Sequence, residues 1–558
     1  MIRIDNGSGR RGDKGADLDF DVIVVGAGSA GCAMAGRLAE SGRLKVLLLE
    51  AGKSDRHYAS LVPALVSKML LKPQFDWGYV AEPDPTLDGR SLAWAAGKML
   101  GGGSAVNGMT FIRGHHWDYD HWAELGAKGW DYASVLPYFR RMETNEQGED
   151  DYRGGAGPQF ISAGRADLPI TERWIAAAEQ AGIARSRDLN GACAEGVGHA
   201  QVSQRRGLRW STAAGYIRHA PWGRRLKVEL EAQVTRLRIA GGRAVGVDFI
   251  QHGRAASAGA RLAVVLCAGT LNTPRLLMLS GIGPGERLQA LGIPVKANRP
   301  GVGMNLQDHA GLSLSTTVSV PTLNSSMQGF GGVLQAMRFL ALRQGTLTTG
   351  MGHAHALVRT RASFAAPDIH IIFMPLGFEV DAAGQVILAR SPMMSQFVNL
   401  ARPRSRGAVE LRSPDPLAPP LIRLSLLQDA RDVEQLCDGV ELARRILRQP
   451  AMACHVAGEV LPEVPTHDGE ALRAYIKANA RPVWHCAGTC RMGSDAAAVV
   501  DSDLKMQGVD GLFVADASVM PSLTAGNTNA TSIMIGDKGA AHVLRSLASW
   551  SPAVRVGS

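Results

Sequence analysis

The sequence predicts an α/β protein (α+β overall), in which a parallel strand–helix–strand unit is combined with a largely antiparallel sheet flanked by helices. Three stretches carry this expectation. Residues 21–25 form a short apolar run that enters Gly26-Ala27-Gly28-Ser29-Ala30-Gly31, continues as a small-residue helix to about residue 41, and returns as a second apolar strand at 45–49. Residues 226–238 alternate apolar and polar side chains at period two, then turn at Gly241-Gly242 into AVGVDFI, the pattern of an antiparallel hairpin. From 312 to 475, alternating stretches at 368–374 and 406–412 are separated by Pro-rich turns at 414–420. Two helical patterns, at 430–448 and 468–479, flank them.

The first unit has a specific chemistry. Gly26 permits a tight turn, Gly28 lets main chain approach a pyrophosphate, and Gly31 lets the helix pack closely on the sheet. The helix start, at Ser29 and Ala30, offers unpaired N–H groups and the positive end of a dipole to phosphates. Glu50 ends the second strand, where a carboxylate would accept hydrogen bonds from a ribose. The motif predicts a dinucleotide ligand; by itself it does not choose between NAD and FAD.

Composition narrows the class. The chain has 558 residues, 46% of them hydrophobic and 20% charged, which is too apolar for disorder and too long for one core. It has no run of charge-free apolar residues long enough for a membrane span, and residues 1–18 read as a loose polar tail without a secretory pattern. The net charge of +9 comes mostly from scattered Arg, so nucleic-acid binding is not expected. Seven dispersed cysteines make a disulfide framework unlike this chain and fit a reducing, cytoplasmic setting, with contact at the inner-membrane surface left open.

The remaining elements follow in order. Residues 61–80, apolar with two prolines, suggest a lid or short helix. Residues 97–108 (GKMLGGGSAVNG) are too Gly-rich for a regular element and would lie flat against something large and planar. Residues 118–143 read as helical, with Trp117, Trp122 and Trp130 as packing anchors. A buried strand is expected at 262–267, ending in Ala268-Gly269 before a helix at 271–280, and a short helix and turn at 285–295. Cys486 and Cys490 lack a second ligand pair, and His115-His116 with His353 and His355 read as surface or loop residues, so no metal site is expected.

Together these segments resemble the glucose–methanol–choline (GMC) family of flavin-dependent oxidoreductases over residues 19–547. The specific matches are 97–114 (GKMLGGGSAVNGMTFIRG), 269–284 (GTLNTPRLLMLSGIGP), 300–309 (PGVGMNLQDH), 484–493 (WHCAGTCRMG) and the terminal VADASVMPSLTAGNTNATSIMIGDKGA. The resemblance implies a Rossmann-like FAD-binding domain plus a substrate domain. Its expected limits are 19–311 for FAD binding, with lid or substrate-domain insertions near 61–90 and 155–200. Residues 312–477 would bind substrate, 478–548 would return to the FAD domain with the catalytic residues, and 549–558 would be a tail.

Residue by residue, the resemblance assigns Gly26, Gly28, Gly31, Glu50 and the adjacent Ala51 to the ADP half of FAD, and the backbone of Val234 to adenine. Gly101, Gly102, Ser104, Asn107 and Gly108 would lie along the pyrophosphate and flavin. Ala268, Gly269, Asp516, Ala517, Asn527 and Thr528 complete the expected cofactor contacts. Some relatives carry in this loop a His bonded covalently to the flavin; here the position is Val106, so dissociable FAD is expected.

His485, which precedes Cys-Ala-Gly-Thr, is the expected catalytic base, since an alcohol must lose its hydroxyl proton as hydride leaves its carbon, and imidazole titrates near working pH. Asn527 would hydrogen-bond the substrate oxygen; a helix-capping role is its alternative. Val483 and Trp484 would shape the pocket. The expected reaction is oxidation of a primary alcohol, aromatic, furanic or medium-to-long aliphatic, with a quinone or other acceptor taking the electrons. An alcohol oxidase using O2, a hydroxynitrile lyase and a photodecarboxylase are the alternatives on the same scaffold. Oligomeric state is not legible.

Overall fold

The computed structural model describes residues 18–166, 168–219, 223–380, 386–461, 464 and 468–550. The first strand, Leu18–Val25, lies at the middle of a seven-stranded sheet, and its Val22, Ile23 and Val24 are fully buried. It pairs in parallel with Val46–Leu49 on one side and Arg254–Leu266 on the other. Leu226–Glu229 extends the parallel set beyond Val46–Leu49, and Leu512–Val514 joins it on Arg254–Leu266. The helix Ser29–Glu40 and the long helix Thr528–Trp550 pack against each other. Their approach is so close that a Cβ on Gly536 would lie 2.2 Å from the Ala30 carbonyl oxygen.

The expected hairpin is corrected in one respect. The 226–238 run is two strands, broken where Glu231 adopts φ +53°. Its front half joins the parallel sheet, and only Ala232–Ala240 forms the antiparallel hairpin with Arg243–Gln251. Alternation alone cannot distinguish one bent run from two strands with different partners.

The second sheet is antiparallel throughout, in the order Val456–Leu461, Ala310–Val318, Met393–Leu400, Ile369–Met374, Ala354–Val358 and Gly196–His199; Arg481–Pro482 pairs with the start of Ala310–Val318. The helix Ala430–Leu447 covers it, with Gly439 set against Val398 and Ile369. Gly407–Glu410 stands apart from this sheet, in a three-stranded one with Met304–Leu306 and Leu421–Arg423.

Smaller corrections follow. The glycine-rich run contains one helical turn, Gly103–Val106. The 118–143 stretch is two helices, His116–Glu124 and Tyr132–Met142; Trp122 and Trp130 are fully buried, whereas Trp117 is half-buried under the Arg402 guanidinium. His355 is no surface residue: it is fully buried on Ala354–Val358 and hydrogen-bonded to His370 at 2.9 Å. Leu18 already belongs to the first strand, and residues 549 and 550 to the last helix; the rest of both expected tails lies outside the described residues.

Candidate active site

Backbone packing around the first turn leaves one open face. Gly26 has φ +95°, and a Cβ there would lie 2.5 Å from the Cys267 carbonyl oxygen; a Cβ on Gly31 would lie 1.8 Å from the Gly26 carbonyl oxygen. Gly28, between them, has nothing within 4 Å of its would-be Cβ. Two of the three glycines are therefore required by the protein's own packing, and the third faces space. Glu50 is buried and accepts from the Ala27 and Gly52 N–H groups at 2.9 and 2.8 Å; burial raises its pKa to about 7. Its main chain binds the next strand, with Ala232 N–H donating to the Glu50 carbonyl, two residues before the half-buried Val234.

The glycine-rich loop docks on this turn. Gly101 N–H donates to the Ala27 carbonyl at 2.7 Å, and Gly102, at φ +49°, brings its Cα side against Gly28. Ser104 Oγ donates to the Gly101 carbonyl and accepts from Thr212 N–H, while Gly108 backs onto Met351. Asn107 Oδ1 accepts from Met109 N–H and from Arg209. Arg209 is a residue the sequence reading missed. It is buried, its other acceptors are the Ser60 and Ser104 carbonyls, its Nη2 has no partner, and burial pulls its pKa down to about 9. One Arg among many gives no signal in a single sequence.

On the far side, Asp516 Oδ2 accepts from Gly269 N–H at 2.9 Å and from the Thr273 hydroxyl, and Oδ1 accepts from Ser518 N–H. Ala268 and Gly269 thus open their helix against Asp516, and the Ala517 carbonyl takes the Gly488 N–H. Asn529 donates to Ser29 Oγ at 2.8 Å, tying the last helix to the first. Gly26, Gly28, Gly101, Gly102, Asn107, Gly269 and Asp516, distant in sequence, fall along these contacting loops, whereas Val234 lies within the strand Ala232–Ala240 and Thr528 opens the last helix.

The histidine end of the site is built by strand register. Arg481–Pro482 pairs with Ala310 and Gly311, and the ladder resumes at Gln307 and Ala487, so three steps along one strand answer five along the other. The slack falls at Trp484, whose φ is +61°. His485 is thereby turned toward His309, and its backbone N–H donates to Asp308 Oδ1 at 2.9 Å. Burial raises the Asp308 pKa to about 8. The 300–309 motif also anchors the terminal segment: Gln307 accepts from Leu523 N–H and donates to the Pro521 carbonyl, and Asn305 donates to Gly488 and Pro521.

Three contacts fix the imidazole protons. His309 Nε2 lies 3.0 Å from the Thr524 carbonyl, which can only accept, so Nε2 carries hydrogen. His309 Nδ1 is then the acceptor for His485 Nδ1, 2.9 Å away. His485 Nε2 is left with a lone pair, toward which Asn527 Nδ2 points at 2.9 Å. Burial keeps both rings neutral: the His309 pKa falls to about 4, and that of His485 lies well below the ordinary histidine value. Asn527 Oδ1 is buried without a partner, so the amide caps no N–H of Thr528–Trp550 and retains an unused acceptor.

Val483 packs with Leu376 against a small apolar cluster of Ile372, Met374 and Phe397. The Arg481 guanidinium lies 5.4 Å from the Phe397 ring centre. Trp484 is 38% exposed, enough to stand at a rim, with its Nε1 donating to the Ala93 carbonyl at 3.3 Å.

Comparison with known proteins decides the family. The GMC oxidoreductase models match residues 20–311 and 403–536.

The chain belongs to the GMC oxidoreductase family.

It is 39% identical over 535 residues to an oxygen-dependent choline dehydrogenase of Rhizobium rhizogenes, covering 94% of this chain and 96% of the relative. Among solved structures, a pyridoxine 4-oxidase from Mesorbium loti superposes with a TM-score of 0.85 at 29% identity, covering 94% of this chain and 99% of that one. A formate oxidase of Aspergillus oryzae superposes with a TM-score of 0.87 at 25% identity, over 95% and 98% of the two chains. The GMC fold, the FAD cofactor and action on CH–OH donors follow. The residues present fit FAD: the free face at Gly28 suits a pyrophosphate, and the unpartnered Asn527 oxygen marks a polar group still owed a ligand. No described helix is long and apolar enough to cross a membrane.

Proposed function

We propose that this GMC oxidoreductase oxidises a primary alcohol with an apolar body, aromatic, furanic or medium-to-long aliphatic, to the aldehyde. The observation that carries the reading is the proton arrangement at His485. Its Nε2 holds a lone pair in a buried site, in the right state to take a hydroxyl proton, and the His309 chain prevents the opposite tautomer. The Asn527 Nδ2–H, which points at that lone pair at 2.9 Å, would turn to donate to the incoming alcohol oxygen and so leave the hydroxyl hydrogen for Nε2. FAD, when bound, supplies the hydride acceptor. Val106 in the flavin loop has no nucleophile, which supports a cofactor held without a covalent bond.

The apolar cluster at Ile372, Met374, Phe397 and Val483 suits a hydrocarbon or aromatic body, and the likeness to a pyridoxine 4-oxidase points the same way. A second reading, choline, is favoured by the identity to choline dehydrogenases. Against it stands Arg481, whose guanidinium already lies 5.4 Å from the centre of the Phe397 ring, the aromatic face of this cluster that a quaternary ammonium would need.

The test is anaerobic bleaching of the flavin colour by benzyl alcohol, hydroxymethylfurfural, octanol and choline. Bleaching by the first three with choline inert supports the proposal, and choline alone as substrate overturns it. Admission of air then sorts the electron acceptor: slow return of colour fits a quinone or other acceptor, and rapid return fits an oxidase.

A further inference from the structure

The helix Gly329–Leu342 presents its apolar face outward. Phe330, Val333, Leu334, Met337 and Leu340 follow helical spacing along one side and are 77, 53, 51, 50 and 71% exposed. The buried side chain of this helix is Phe339, on the opposite face, while Gln335 holds the helix end by accepting from Thr346 N–H. A helix of this pattern in a globular protein ordinarily turns the same stripe inward. Met327, Met351 and Leu71 are exposed on neighbouring segments, and Leu342 is exposed at the helix end. Thr346–Thr348 touches both this helix and the segment Pro63–Lys68, whose own Pro63 and Val66 are buried, so that segment borders the helix platform with the exposed Leu71 just beyond its end. The platform abuts the flavin loop, since a Cβ on Gly350 would lie 2.5 Å from the Gly108 carbonyl oxygen.

Charge identifies the occupant. The sequence has no Asp or Glu between Asp308 and Asp368, and none between Asp55 and Asp76. Lys68, Lys72 and Arg338 are exposed on these segments, and Arg343 is half-exposed. A second copy of the chain docking by the same patch would set this cationic rim against itself. A bilayer bearing anionic lipid supplies the opposite charge together with a place for the apolar side chains.

We propose that the Gly329–Leu342 face docks on an anionic lipid bilayer, with Phe330, Leu334 and Leu340 among the acyl chains and Lys68, Lys72 and Arg338 at the phosphates. The inference does not depend on the substrate assigned above. The full-length, FAD-loaded protein should sediment with phosphatidylglycerol vesicles, much less with phosphatidylcholine vesicles, and should be released by salt. A Leu334→Glu/Leu340→Glu variant should lose about tenfold or more of that binding, while oxidising a soluble alcohol at the wild-type rate; because both side chains are exposed, the fold does not need them. An Arg338→Glu/Lys72→Glu variant should weaken binding to phosphatidylglycerol alone. The proposal is overturned if the wild-type protein stays in the supernatant with phosphatidylglycerol, or if the Glu variant sediments as the wild type does. A wild-type dimer in light scattering that the Glu variant dissolves would equally overturn it, in favour of self-association.

Discussion

His309 and His485 meet edge to face, ring planes 85° apart, with their Nδ1 atoms 2.9 Å apart. The two rings act as one unit: the Thr524 carbonyl sets the proton on His309, and His309 sets the proton on His485. Replacing His485 by Ala should slow flavin bleaching by an alcohol about 10²- to 10⁴-fold, measured by stopped flow, with the circular dichroism spectrum unchanged. Wild-type bleaching would remove His485 from the mechanism.

His309 is expected to work by positioning. Gln can accept at one end and donate at the other, as His309 does; Leu can do neither. His309→Gln should therefore keep most of kcat, and His309→Leu should lower it about tenfold or more with little change in KM. Equal effects from both variants would mean that the ring matters for its shape.

The pH profile follows from burial. His485 and His309 are neutral in the folded protein, with pKa values held below the unfolded histidine value of about 6.5. Loss of the base therefore requires acid. The profile of kcat/KM should be flat through neutrality and fall only as pH drops below the folded pKa of His485. The same depression means that the stability contributed by neutral His309 is complete above about 6.5 and is lost as pH falls toward about 4, and that of neutral His485 is lost in the same direction. An activity limb centred near neutral pH would contradict the assignment.

The three glycines of the first turn should separate in their effects. Gly31→Ala drives a methyl into the Gly26 carbonyl and should cost roughly 1–3 kcal/mol of stability. Gly28→Ala meets no protein atom, so thermal stability of the cofactor-free chain should be unchanged while FAD affinity falls. Equal destabilisation by both would show that Gly28 serves the fold alone.

Acid precipitation should leave the yellow cofactor in the supernatant, because Val106 offers no bond to the flavin. Colour retained in the washed pellet would show a covalent link through another residue.

Local sequence carried much of this architecture. The parallel unit was legible because its glycines and apolar strands are contiguous, and the helix at 430–448 because its periodicity is strong. His485 and Asn527 stand out through short motifs, and the structure sets their side chains 2.9 Å apart. His309 stands within such a motif without a legible role, since its partner lies 176 residues away and only strand register brings the two together. The split of the 226–238 run and the burial of His355 were hidden for the same reason: each depends on which strand becomes the neighbour.

The contact of Gly536 with Ala30 has an engineering consequence. The helix that follows Asn527 is seated, main chain on main chain, against the helix that follows the dinucleotide turn. A chimera that grafts a new carboxy-terminal segment onto this scaffold must import its matching amino-terminal helix as well, or the transplanted amide will arrive out of alignment with the imidazole it serves.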